Sequence, residues 1–155
     1  MLNDSADEEQ AEERLKQLIE AIGRQDKDAL REIFSKNALD EAENFDDDAD
    51  DLFRFIHGSV ESWEKSSGPS VYESINYGHI TKNVSSYYYI KTTEKIYFFL
   101  MRDYPVDTDH PDNVGLYLLL AVREEDEDKI YDGSQKILND GDQKLQRSGI
   151  YLPIK

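Results

Sequence analysis

Two runs late in the chain are apolar on both parities, and that property dictates a layered architecture. Residues Tyr97 to Arg102 read Tyr-Phe-Phe-Leu-Met-Arg, and Leu116 to Val122 read Leu-Tyr-Leu-Leu-Leu-Ala-Val. Successive side chains of a strand point to opposite faces, so a strand of this kind leaves apolar surface in water unless both faces are covered. The runs Tyr87–Arg102 and Val114–Arg123, joined by the acidic turn Val106–Asn113, are expected to form the centre of a sheet. The remaining chain supplies the covers.

One cover is helical. Leu15, Leu18, Ile19 and Ile22 fall at i, i+3, i+4 and i+7, which draws one stripe on a helix ended by Gly23. Asp26 stands where an N-cap belongs, ahead of Ala29, Leu30, Ile33 and Phe34, and Ala38, Leu39 and Ala42 continue as a short helix. Asp46-Asp47-Asp48 then occupies the first turn of a helix whose apolar face is Ala49, Leu52, Phe53 and Ile56, closed by Gly58. The helix dipole favours negative charge there, so this run reads as capping rather than as a metal site.

After Gly58 the period shortens. Val60 to Lys65 alternates around Trp63, Ser66-Ser67-Gly68-Pro69 marks a turn, and Val71, Glu73, Ile75 and Tyr77 alternate again. These residues form either a hairpin or one long strand broken by a loop. Ile80 and Val84 lead into Tyr87-Tyr88-Tyr89-Ile90, and Thr93-Glu94-Lys95 turns the chain into Ile96–Arg102; connections this short make the strands antiparallel. Glu124 to Asp128 reads as a solvated turn at the rim, Ile130-Tyr131-Asp132-Gly133 as a short edge strand or irregular return, and Ile150-Tyr151-Leu152-Pro153 as a docking segment. Met1–Gln10 is acidic and without apolar period, so a disordered arm is expected over residues 1–10. The expected whole is a single α+β domain over residues 11–155, with three N-terminal helices packed on a curved antiparallel sheet of four to six strands.

Charge and composition exclude several functions. Lys and Arg number 18 against 34 Asp and Glu, a formal charge of −16 that repels polyphosphates and anionic lipid. Nucleic acid and membrane surfaces are therefore poor partners. The absence of cysteine removes thiol catalysis, disulfides and thiolate metal sites. No run of about 18 apolar residues exists, and Met1–Gln10 is too polar for a secretory leader, so the chain as given is expected neither to span nor to target a membrane. Nucleophile elbows and phosphate-cradling glycine loops are missing, and His57, His79 and His110 lack zinc-ligand spacing.

Helices followed by a curved sheet is the order of the nuclear transport factor 2-like, cystatin-like cone folds, and the chain resembles them. More narrowly, Val106-Asp107-Thr108-Asp109-His110-Pro111-Asp112-Asn113-Val114-Gly115-Leu116-Tyr117, the following Arg123-Glu124-Glu125-Asp126 and the closing Gly149-Ile150-Tyr151 resemble a bacterial family of unknown function, number 5104 in the domain-of-unknown-function series. The similarity runs from about Ala11 to the end. Members of that family are leader-bearing lipoproteins of Gram-positive bacteria, which implies an extracellular or envelope location, lipid-anchored in the precursor. The chain as given departs from that pattern in showing no cysteine and no leader-like start, so the implied location is that of a precursor from which the leader has been trimmed. The resemblance implies a fold and a location but no activity.

Three groups of residues stand out as candidate sites. Tyr87, Tyr89, Tyr97, Phe99 and Tyr117 share one parity within their strands, while Tyr88, Ile90, Phe98, Leu100, Leu116, Leu118 and Leu120 share the other. The aliphatic-rich parity is expected beneath the helices. The tyrosine-rich parity would then face a second cover: a ligand, another copy of the chain, or the C-terminal segment. The cone resemblance implies a cavity that Phe53, Phe55 and Trp63 would line. Asp107, Asp109 and Asp112 place oxygen donors at short spacing, as calcium loops do, but no Gly stands sixth from Asp107 and no Glu twelfth, and the same residues build ordinary rigid turns. An acid–base enzyme would need a buried polar pair in the cavity, such as His79 beside Tyr87 or Tyr89. The expected function is a non-catalytic, secreted or surface-tethered module without a cofactor, which holds a small ligand or protein partner and can pair with itself through the sheet. The alternatives are a cone-type acid–base enzyme and a calcium-stabilised interaction domain.

Overall fold

The computed structural model describes residues 4–130, 139–140, 143–144 and 147–155. Helix α1 (Asp4–Arg24) begins inside the segment expected to be disordered. Tertiary anchors account for the difference. Asp7 is buried and accepts from Lys82, and Glu8 pairs with Lys65 at 2.8 Å. Met1–Asn3 lie outside the described residues.

Helix α1 buries the stripe Leu15, Leu18, Ala21 and Ile22. The Asp26 carboxylate accepts from the Ala29 N–H at 3.0 Å and so starts α2 (Lys27–Ile33). Ser35 caps α3 (Lys36–Glu41) by accepting from the Ala38 N–H at 3.0 Å, so four helices rather than three precede the sheet. Helix α4 (Phe45–Phe55) carries Asp46, Asp47 and Asp48 in its first turn, and its acids also reach α2, through Arg31 with Asp46 and Lys27 with Asp50.

The strands β1 (Val60–Asn76), β2 (His79–Thr92), β3 (Ile96–Asp107) and β4 (Gly115–Arg123) follow as antiparallel neighbours. Of the two readings of residues 60–77, one long strand holds. Ser66 to Pro69 does not reverse the chain but is absorbed as register slips within β1, between Lys65 and Ser67 and between Ser67 and Ser70. After β4 come a 3-10 turn (Glu124–Asp126), the short helix α5 (Glu127–Ile130), and a two-stranded ribbon of β5 (Asn139–Asp140) and β6 (Gln143–Lys144). The sheet's fifth strand, β7 (Gly149–Tyr151), pairs in parallel with β4, so the sheet is mixed rather than antiparallel. A long connection carries the chain back to the other end of β4, which a tight turn could not do.

Two cores result, one on each face of the sheet. Between the helices and the sheet lie Leu15, Leu18, Leu30 and Leu52 from the helices and Ile90, Tyr97, Phe99, Met101, Leu116 and Leu119 from the strands, all essentially inaccessible. On the other face Phe98, Leu100, Leu118, Leu120 and Val122 are closed over with Ile130 of α5. Each such side chain contributes about 1.5–3 kcal/mol by leaving water, which is why the segment read as a solvated rim turn folds back as a short helix instead. Tyr131–Gly133, the other part of the expected edge strand, lie outside the described residues.

Two bulges re-aim side chains. Arg102 pairs with Leu118 and Asp103 with Leu116, leaving Tyr117 as an extra residue in β4. Leu116 therefore faces the helices although Leu118 and Leu120 face away from them. In β3 the slip falls opposite Lys82 and Val84, at Tyr104-Pro105, where a proline without an N–H costs no ladder bond.

Candidate functional site

The register between β2 and β3 decides where the tyrosines go. Tyr87 lies opposite Leu100, Tyr88 opposite Phe99, Tyr89 opposite Phe98, and Ile90 opposite Tyr97. Residues directly opposite one another share a face. Tyr97 and Phe99 consequently sit with Tyr88 and Ile90 under the helices, which corrects the expectation that they join Tyr87 and Tyr89 on a separate surface. The Tyr97 ring packs on Phe55 with centroids 5.5 Å apart, and its hydroxyl donates to the Phe55 carbonyl oxygen at 3.0 Å while accepting from the His57 N–H at 2.8 Å. Burial raises its pKa.

Tyr87 and Tyr89 lie on the opposite face against Phe98, with centroids 6.4 and 5.7 Å away, and the Tyr89 hydroxyl donates to Glu127 at 2.6 Å. Tyr117, in its bulge, stands edge-on to Tyr104 and donates to Glu41 at 2.7 Å. Burial first, and the Glu41 carboxylate second, push its pKa up to about 12. Phe53 is half-buried against the helix-side core, and Trp63, opposite Ile90, donates its indole N–H to Glu12 at 3.2 Å. The seven residues are thus divided between two faces and form no common surface. The face away from the helices is already closed within one chain, with Phe98, Leu100, Leu118 and Leu120 at most 2% exposed.

The acidic loop is held by its own side chains. Asp107 is buried, and its carboxylate accepts from the N–H groups of Asp109 and His110 at 3.2 and 3.0 Å and from the Asn113 side-chain amide at 3.0 Å. The Asn113 contact foremost, helped by those N–H groups, holds the Asp107 pKa below its ordinary value. Asp109 turns to His79 and Asp112 is exposed. Asp107, Asp109 and Asp112 therefore do not converge, and among the described residues no group of three His, Asp or Glu side chains is placed to hold a metal. A carboxylate satisfied by loop N–H groups is a structural turn.

The histidines offer no sheltered pair. His79 and Asp109 are in contact, but both are largely exposed, and eight residues of extended strand carry His79 roughly 26 Å from Tyr87. His57 and His110 are exposed. Two shielded ion pairs that sequence reasoning missed are present instead: Asp7 with Lys82, described above, and Arg14 of α1 with Asp103 of β3, Nε to Oδ2 at 2.6 Å and Nη2 to Oδ1 at 3.3 Å. A signal existed for the second, since Asp103 is the lone acid between Ile96 and Val106 and Arg14 falls on the buried side of α1 between Ala11 and Leu18. The crevice beside Arg14 and Asp103, lined by Ala11, Val84, Ser86, Met101 and Pro105, measures about 10 Å³. That is room for about one water.

The exposed apolar surface lies elsewhere. Beyond Pro69, β1 and the start of β2 run past the helical layer as a projecting hairpin, closed by Tyr77 and Gly78, whose φ angles of 51° and 83° are those of a two-residue I′ turn. Tyr72 is 71% exposed, Ile75 67% and Tyr77 95%, and Val71 is also exposed. The alternation of Val71, Glu73 and Ile75 was legible; the exposure was not, because it depends on which part of the ribbon α1 covers. Among the described residues α1 meets the hairpin through Asp7 and Lys82.

The model of a protein family described as Domain of unknown function (DUF5104) matches residues 17–124. The chain belongs to this family. The DUF5104 segment takes in the C-terminal part of α1, the projecting hairpin, the Asp107 loop and β4, and leaves the edge strand β7 outside it. Helices covering a curved five-stranded sheet is compatible with the cone fold expected for it. No curated protein matches the chain. Among the described residues of this DUF5104 chain, no helix is long and apolar enough to cross a membrane.

Proposed function

We propose that the protein is a non-catalytic binding module that engages a partner protein through the projecting β1–β2 hairpin. The observation that carries this reading is the exposure of Tyr72, Ile75 and Tyr77 on one unsupported ribbon at the edge of the sheet. Large apolar side chains gathered on an edge cost solubility unless something uses them, and tyrosine suits a surface that is wet when free and dry when bound. The polar features described above are spoken for: Arg14 and Asp103 neutralise each other, and Asp107 closes its own loop. The crevice that reaches Asp103 holds about one water. An envelope location, lipid-anchored in the precursor, is part of the proposal and rests on the family resemblance.

Photo-crosslinking in the native host tests it. A benzophenone side chain at position 72 should give a discrete adduct, and the same group at Glu20, exposed on α1, should not. Equal adduct patterns from both positions, or none from position 72, would remove the hairpin from consideration.

A further inference from the structure

The outer edge of the hairpin presents a defined recognition pattern. In a two-residue hairpin the residues flanking the turn form a hydrogen-bonded pair, here Asn76 with His79. The register runs without a slip from there to Ser70 and Ser85, so the inward and outward backbone groups of β1 alternate strictly. Asn76, Ser74 and Tyr72 direct their N–H and C=O groups to β2, whereas Ile75, Glu73 and Val71 direct theirs outward. Among the described residues no strand pairs with that side. The slips at Lys65, Ser67 and Ser70 interrupt the edge further along, which confines the open stretch to residues 70–76.

The side chains of Val71, Glu73 and Ile75 also share a face, opposite Val84, Lys82 and Ile80. Lys82 would be the natural cross-strand mate of Glu73, yet its ammonium is drawn to Asp7. Glu73 is left without a cation among the described residues, between two exposed aliphatic neighbours.

We infer that residues 70–76 of β1 accept an extended segment of a partner protein as an additional antiparallel strand, one that presents an aliphatic, basic, aliphatic alternation to Ile75, Glu73 and Val71. This inference rests on the hairpin reading above and names what the hairpin takes. Backbone bonding supplies the affinity and the Lys or Arg opposite Glu73 the selectivity. A second copy of this chain is a poor occupant. Antiparallel pairing of two copies keeps the faces matched, so each register that pairs Glu73 within this stretch sets it against itself, Val71 or Ile75, and each copy carries −16. A basic segment meets both the local and the overall charge.

The probe is a synthetic peptide with the sequence of His79–Ser85, which already offers Ile80, Lys82 and Val84 to the inner side of the same three residues. A second peptide carries Lys82→Glu. Titrated into ¹⁵N-labelled protein up to about 5 mM, a range that detects weak edge pairing, the first should move the amide resonances of Val71, Glu73 and Ile75 most. The second should bind at least about tenfold more weakly. Glu73→Lys in the protein should reverse the preference, and Val71→Pro, which removes an outward N–H and no inward one, should abolish both. No shift at this edge, equal binding of the two peptides, or light scattering that shows a dimer abolished by Val71→Pro would each overturn the inference. If position 72 crosslinks a partner that Val71→Pro and Glu73→Lys do not release, strand addition fails while the hairpin reading survives. Absence of any adduct from position 72 fails the hairpin reading itself.

Discussion

Tyr97 ties the end of α4 to the middle of the sheet: its hydroxyl donates to the Phe55 carbonyl oxygen at 3.0 Å and accepts the His57 N–H at 2.8 Å. The Phe55 carbonyl is among those left without a partner at a helix C-terminus, and the His57 N–H lies just past the cap residue Ile56. Tyr97→Phe keeps the ring and its contact with Phe55 but orphans both groups. The expected loss is about 1–3 kcal/mol, read as a lowered urea midpoint at unchanged slope. An unchanged midpoint would mean that water replaces the hydroxyl.

The Arg14 and Asp103 side chains are 19% and 10% exposed, so each is sheltered enough for loss of its partner to matter. Arg14→Met or Asp103→Leu alone should cost about 3 kcal/mol, because each leaves a charge with little water. The double variant should recover most of that loss. A double-mutant cycle with no coupling would show the pair to be energetically inert.

Gly115 has a φ of 130°, and a Cβ there would stand 2.9 Å from the Ser35 nitrogen and 3.0 Å from its Cα. The close approach is needed because the Ser35 N–H donates to the Leu116 carbonyl at 2.9 Å, docking the α2–α3 junction on β4. Gly115→Ala should destabilise by about 1–3 kcal/mol through backbone strain and displaced contact. Thermal unfolding of the variant gives the answer, and a melting temperature equal to the parent's would contradict this packing.

Asp107 makes the acid limit of stability testable. Its folded pKa lies below the ordinary 3.8, so its contribution is complete above that value and is lost as the pH falls through the lower, folded one. Between about pH 5 and pH 2 the parent should therefore lose melting temperature more steeply than Asp107→Asn, which has no proton to take up there. Parallel curves would show that the Asp109–Asn113 loop does not depend on the carboxylate charge.

Local patterns in the chain announced most of the elements, and pairwise relationships were what they withheld. The stripe of Leu15, Leu18 and Ile22 and the two-sided runs at Tyr97 and Leu116 are written in spacing, which is a property of one element at a time. The face of Tyr97 is not. Even-numbered residues of β2 oppose odd-numbered residues of β3 here, and the geometry of the turn at Thr93 sets that relation. A parity rule applied strand by strand therefore grouped Tyr97 with Tyr87 when it belongs with Tyr88. The bulge at Tyr117 reverses parity once more within β4. In the Asp107 loop, likewise, composition shows donors and acceptors but not that the loop's own N–H groups bond the Asp107 carboxylate.

The grip of Arg14 on Asp103 joins positions 89 residues apart. At ribosomal rates of about 5–20 residues per second, the oily side of the first helix is made roughly 4 to 18 seconds before the strands that will hide it. Until β3 has left the exit tunnel, Leu15, Leu18 and Ile22 have no complete surface to settle on. The nascent protein is then a client for chaperones and a target for proteases, and its yield in a cell depends on how that interval is guarded as much as on how stable the finished fold is.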